Sequence, residues 1–110
     1  MDFTKNTKNA KKVHRMFYVY VLQSISDENK FYLGSTKDLK QRIKSHNQGE
    51  NKATKGSQWE LVYYEAYIVL TAARQREHKL KHDGRSKRFL MQRIKESLKV
   101  QSKNTKKEDE

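Results

Sequence analysis

Among the side chains able to move protons, grip phosphate or hold a cation, five stand out by type and spacing: Tyr20, Tyr32, Arg42, His46 and Glu77. A tyrosine hydroxyl donates and accepts hydrogen bonds, but with an ordinary pKa of about 10 it is a poor base. Arginine presents a permanently charged fork that matches phosphate oxygens. Histidine relays protons near neutral pH, and one carboxylate can hold a divalent cation that keeps most of its water. Each of the five also has a plainer reading. Six tyrosines in a small domain serve mostly as core and rim residues. Arg42 and His46 lie in a Lys-rich stretch suited to a solvated helix face. Glu77 stands among Arg74, Arg76, His78 and Lys79, so an ion pair on a helix surface would account for it.

Whether the five can act together depends on the elements that carry them. Residues 17–22 (FYVYVL) are six β-formers in a row and predict a strand buried on both faces. Turn chemistry follows in Ser24 to Lys30, then a short second strand over residues 31–34, so the two read as a hairpin with a loose loop. Gly34 is placed where a bulky side chain is unwelcome. A Ser35-Thr36 pair able to cap precedes a predicted helix over residues 38–48, in which Leu39 and Ile43 share one face, with Arg42 and His46 four apart beside it. Gly49 ends that helix and residues 50–58 form a loop. Residues 59–69 read as a third strand. Thr71 is read as the cap of a helix reaching about Lys81, Asp83-Gly84 as a break, and Ser86 as the cap of a last helix with Leu90, Ile94 and Leu98 as its apolar stripe. The order β-β-α-β-α-α defines an α+β domain, a small sheet covered by helices. Chain order leaves open which strand is central. One domain over residues 16–100 is expected, between a basic disordered arm (1–15) and a disordered polar tail (101–110).

The chain carries 25 Lys and Arg against 13 Asp and Glu, a formal +12 over 110 residues, which points to a polyanion as partner. The basic stretches lack a clean bulky apolar face, so a membrane surface ranks well below nucleic acid. The absence of cysteine excludes disulfides, thiol catalysis and Cys-ligated zinc. No apolar run approaches the roughly 20 residues of a spanning helix, and residues 1–15 do not form a secretory signal. A cytoplasmic protein is the simple expectation.

Taken together, the residues are more specific than any one of them. Tyr18-Val19-Tyr20, Tyr32-Leu33-Gly34, then Arg42, His46 and Glu77 in that order resemble the GIY-YIG nuclease family. The stretch YLGSTKDLKQRIKSH (32–46) resembles the middle of that domain, and the similarity continues through WELVYYE (59–65) and ARQREHKLK (73–81). It covers residues 16–98. Among members, the small single-domain bacterial ones are most similar, and these in turn resemble the N-terminal domain of the UvrC-type repair endonuclease. The resemblance implies a three-stranded antiparallel sheet flanked by helices. It also implies divalent-metal-dependent hydrolysis of DNA phosphodiester bonds, in repair, recombination or degradation.

That chemistry needs a nucleophilic water, charge neutralisation at phosphorus and help for the leaving oxygen. Under the resemblance, Glu77 would hold one Mg²⁺ or Mn²⁺, and Arg42 would bind the non-bridging oxygens. Either Tyr20 or Tyr32 would take a proton from water, with Arg42 and the metal favouring the phenolate. His46 would orient a tyrosine or relay a proton. The chain departs from the family pattern at three places. Tyr18 stands where the family name has glycine, Ser35 where the repair-endonuclease relatives have lysine, and residues 78–100 contain no asparagine after the metal-binding glutamate.

Affinity would come from Lys37, Lys40 and Lys44 on the first helix, Lys52 and Lys55 in the loop, and Arg85, Lys87 and Arg88 near the last helix. Such contacts release counterions, by about −0.9 in log–log salt slope per phosphate on duplex DNA. No base-reading module is evident, so duplex, branched or single-stranded DNA is expected to be bound with little sequence preference. RNA is a weaker candidate, and no obligate protein partner is evident. A non-catalytic nucleic-acid-binding module with the same fold is the second reading.

Overall fold

Strand β1, Phe17–Ser24, is the middle of a three-stranded antiparallel sheet in the order β2-β1-β3, with β2 at Phe31–Thr36 and β3 at Trp59–Tyr67. The computed structural model describes residues 14–109. The run of β-formers explains the central place of β1: Val19, Tyr20, Val21 and Leu22 are all buried, which needs cover on both faces. Helix α1 spans Leu39–Asn47, α2 spans Leu70–His82 and α3 spans Gly84–Asp109. The architecture is the α+β sheet with three helices expected from the sequence.

Alternation along β1 divides the core in two. Val19 and Val21 face α2 and α3, where Ala73, Leu80, Leu90 and Ile94 complete one cluster. Tyr20 and Leu22 face α1 and pack with Trp59, Tyr32, Leu39 and Ile43. A bulge in the β1–β3 pairing between Val21 and Leu22 keeps Tyr63 on the first face and Leu61 on the second. Neither cluster is large. Truncating Leu80 or Ile94 to alanine would cost about 2–5 kcal/mol, a large share of the stability of a domain this size.

The helix boundaries depart from the sequence reading where capping decides them. Asp38 caps α1, its carboxylate accepting from the Gln41 amide at 3.1 Å, while the Thr36 hydroxyl accepts from the Asp38 amide. Strand β3 stops at Tyr67 and Ile68 and Val69 are exposed; Val69 occupies the cap position of α2 and makes no side-chain cap bond, so Thr71 lies inside the helix. At the next junction Asp83, not Ser86, caps α3. Its carboxylate accepts from the Arg85 amide at 3.2 Å and from the Ser86 hydroxyl at 2.7 Å.

Helix α3 continues past Val100 to Asp109, so the backbone is helical through residues that the sequence reading assigned to a disordered tail. Residues 101–104 are exposed, so this extension runs beyond the packed core. The helix is Lys-rich and contains neither Gly nor Pro after Gly84. The arm expected over residues 1–15 falls, except for His14 and Arg15, outside the described residues. Among the described residues no helix is long and apolar enough to cross a membrane.

Candidate active site

The cross-strand register brings the two tyrosine-containing motifs together. Tyr20 pairs with Gly34 of β2 on one side and with Tyr64 of β3 on the other. The Tyr20 ring lies over Gly34, on the sheet face covered by α1. A Cβ built on Gly34 would fall 2.5 Å from the Tyr20 hydroxyl oxygen, closer than carbon and oxygen can approach without displacement. Gly34 therefore does not end the strand, which continues to Thr36. It leaves room for the phenol.

Helix α1 places His46 directly on that phenol. The Tyr20 hydroxyl and His46 Nε2 are 2.8 Å apart, and His46 Nδ1 is 2.7 Å from the Thr54 hydroxyl. Thr54 donates its single proton to the Asn51 carbonyl at 3.4 Å. With its proton on that carbonyl Thr54 accepts from Nδ1–H, and the neutral imidazole protonated at Nδ1 has a bare Nε2; the opposite tautomer would reverse both bonds. The Tyr20 O–H accordingly donates to Nε2. Burial, followed by the nearby Arg42 charge, lowers the His46 pKa and favours this neutral form.

Thr54 was not evident as a site residue from the sequence. It sits in the loop after α1, which is pinned from both ends. The Asn47 side chain accepts from the Trp59 amide at 2.7 Å and donates to the Trp59 carbonyl at 3.0 Å, and the Trp59 indole donates to the Thr54 carbonyl at 3.0 Å. Gly49 and Gly56 take positive φ to make the turns. Tyr32 flanks the same histidine, its ring centroid 4.8 Å from that of His46, and its hydroxyl accepts from the Asn51 amide group at 3.4 Å.

Glu77 approaches from α2, on the other side of β2. Ser35, next along from Gly34, donates to its Oε1 at 2.5 Å, and Lys81 donates to Oε2 at 2.7 Å. Burial acts to raise the Glu77 pKa, but the bonds from Lys81 and Ser35 outweigh it and the net shift is downward, so Glu77 is a carboxylate at neutral pH. Position 35 supplies a hydroxyl rather than a cation, and Lys81 brings an ammonium to the same carboxylate.

These groups act on one phenol. Burial chiefly, then Tyr32, pushes the Tyr20 pKa up, with the Glu77 charge adding to the rise and Arg42 opposing it. The expectation that Arg42 would favour the phenolate has the right sign, but burial exceeds it and Tyr20 is protonated at rest. Arg42 itself is exposed on α1.

A hard divalent cation fits Glu77. It is ionised, half-buried and supported by an oxygen donor, and Lys81, the competitor for Oε2, is on a substantially exposed side chain able to swing away. Among the described residues no group of three or more His, Asp or Glu converges. The fit is therefore to a metal that keeps most of its water, as Mg²⁺ does. The candidate DNA-binding cations are all exposed and fall into two sets. Lys37, Lys40, Lys44, Lys52 and Lys55 surround α1 and its loop, on the Tyr20 side, and Arg85, Lys87 and Arg88 lie at the start of α3.

A second polar cluster, not read from the sequence, stiffens the opposite face. Glu65 accepts two bonds from Arg76, at 2.9 and 3.0 Å, and one from each of the Tyr63 and Tyr67 hydroxyls. It ties β3 to α2 and so fixes the helix that carries Glu77.

A small α+β domain with tyrosine, histidine, arginine and a lone ionised carboxylate around an edge strand has the parts of a phosphodiester-cleaving protein. A family model described as the GIY-YIG catalytic domain matches residues 16–90, and the chain belongs to that nuclease-type family, whose members are generally divalent-metal dependent. Curated relatives include UPF0213 proteins of Haloquadratum walsbyi and Natronomonas pharaonis. They are 40% and 42% identical over 73 residues, which is 64% of this chain and 80% and 84% of theirs.

Proposed function

We propose that the chain is a divalent-metal-dependent endonuclease that hydrolyses DNA phosphodiester bonds, selecting DNA by structure rather than by sequence, in repair, recombination or degradation. The observation that carries this reading is the Tyr20–His46–Thr54 chain, which gives a phenol that can take a proton and an imidazole ready to receive one. Tyr20 at rest is protonated, so it acts as a relay. The hydroxyl is buried, so the relay needs a water admitted to it: the Tyr20 proton would pass to His46 Nε2 as its oxygen takes one from that water, and the charge would end on the imidazolium. Arg42, exposed and permanently charged, holds the non-bridging phosphate oxygens. Tyr32 packs against His46 and keeps the ring in place.

Glu77 would hold Mg²⁺ or Mn²⁺, which when bound supplies charge neutralisation at the phosphate and a more acidic water. Lys81 releases Oε2 on loading and remains near as a cation. The lysines of α1 and the following loop position the strand over Tyr20 through its phosphates.

A test is nicking of supercoiled plasmid and cleavage of branched or single-stranded oligonucleotides with Mg²⁺, Mn²⁺ or EDTA. Metal-dependent cutting that is lost in Glu77→Ala while DNA binding is retained supports the reading. Equal binding by both proteins with no cutting under any metal would leave the non-catalytic binding module in its place.

A further inference from the structure

The sheet face that carries Tyr20 also carries two aromatic rings with no part in the proton relay. Tyr18 precedes Tyr20 by two residues in β1, and Tyr64 is its direct partner in β3, so all three side chains emerge on one face. The rings of Tyr18 and Tyr64 meet edge to face, their centroids 5.9 Å apart. Tyr64 is 54% exposed, and Ala66, the partner of Tyr18 on the same face, is exposed as well. Helix α1 covers Tyr20, Leu22 and Trp59, and among the described residues none covers Tyr64 and Ala66 at this end of the face, which are exposed. Tyr18 also pairs with Thr36, so Lys37 follows at the same end of the sheet. Tyr18 occupies the position at which the family name has glycine, so a ring stands there in place of a bare backbone.

We propose that Tyr18 and Tyr64 form a stacking platform for an unpaired base of the substrate strand, in the nucleotide adjoining the phosphate held over Tyr20. The proposal rests on the endonuclease reading and narrows its substrate to DNA with unpaired nucleotides at the cut, as in flaps, loops and single strands. Exposed tyrosine rings bind any base by its π-face, whatever the sequence. In a duplex that face is already covered by the neighbouring base pairs. The occupant follows from position: the platform adjoins Tyr20 in the sheet register, and it lies in a chain of +12 with Lys37 directly after Thr36, the partner of Tyr18, to take a flanking phosphate. A protein partner meeting the same surface would face that positive field instead.

The experiment uses the Glu77→Ala protein, so that binding is read apart from cleavage. Fluorescence anisotropy is measured with a labelled single strand carrying 2-aminopurine and with a duplex of equal length, at one salt concentration. Adding Tyr64→Ala is expected to weaken single-strand binding by roughly tenfold and to remove the 2-aminopurine quenching, with the duplex little changed. Adding Tyr64→Phe, which keeps the ring, restores both readouts. Equal weakening on both DNAs, no weakening on either, or a phenylalanine variant as weak as alanine overturns the platform. Because no cutting is involved, an intact single-strand effect beside a failed nicking assay would remove the nuclease and keep the platform. Nicking without the single-strand effect would do the reverse.

Discussion

The hydroxyl of Tyr20 occupies the space that a side chain on Gly34 would fill. The glycine of the second motif and the tyrosine of the first are therefore a single feature, joined by the β1–β2 register that sets them opposite each other. Tyr20 is 1% exposed and is held from above by His46, so its ring has little freedom to yield.

Gly34→Ala is accordingly expected to lose cleavage far out of proportion to stability. Overpacking of this kind costs about 1–3 kcal/mol. Urea denaturation should show that modest loss, while the nicking rate falls by about 100-fold or more because the phenol leaves His46. A Gly34→Ala protein with unchanged nicking would sink the account of Tyr20 given above.

Acid pH should act through His46. Its folded pKa is lowered, so between that value and the unfolded value of about 6.5 the unfolded chain binds a proton that the native protein refuses. Its contribution to stability is fully present above about pH 6.5 and is lost as pH falls toward the folded pKa. Cleavage should fall further into the acid range, through the lowered folded pKa itself, because a protonated Nε2 cannot accept from Tyr20. Thr54→Val removes the acceptor for Nδ1–H, and with it the lock on the tautomer. Imidazole nitrogen shifts measured by NMR should show a single Nδ1–H form in the parent and a mixture in the variant, with cleavage reduced. A parent already showing Nε2–H would contradict the relay.

Removing Arg76 leaves the Glu65 carboxylate with only its two tyrosines. Glu65 is 15% and Arg76 32% exposed at the side chain, so the pair lies between a surface bridge and a buried one. Arg76→Ala is expected to cost about 2–3 kcal/mol by chemical denaturation. The Glu65 pKa is lowered: burial works against that shift, but the bonds from Arg76, Tyr63 and Tyr67 outweigh it. Its stabilising contribution is present above the ordinary carboxylate range and disappears as pH falls through the folded value. The difference between parent and Arg76→Ala should therefore shrink in acid, and a constant difference would rule out the ion pair as its source.

Much of this was legible before any coordinates. The unbroken β-run of 17–22 can be satisfied only in a strand covered on both faces, and β1 is that strand. Arg42 and His46 do share a helix, although the spacing alone could not say that His46 is buried and Arg42 exposed. The hydrogen-bond partners were less readable. Thr54 and Asn51 lie in a polar loop whose composition is that of any turn, and only the Asn47 and Trp59 latches bring them to His46. Glu65 and Arg76 belong to different elements, and local charge patterning pairs neighbours such as Glu77 and Lys81. Thr71 and Ser86 are good capping types, and type alone does not decide which residue caps. At α3, Asp83 lay one residue before the helix start and offered both carboxylate oxygens.

Strand β2 lies at the margin of the sheet, and its outer backbone edge pairs with no other described strand. Tyr32, Gly34 and Ser35 all belong to it, so the groups on either face meet around a rim and not at the bottom of a tunnel. On the endonuclease reading, a long polymer would approach from the flank, be gripped at an interior bond and leave without threading a free end. The geometry imposes no direction of travel along the strand and no dependence on how far away the nearest terminus lies.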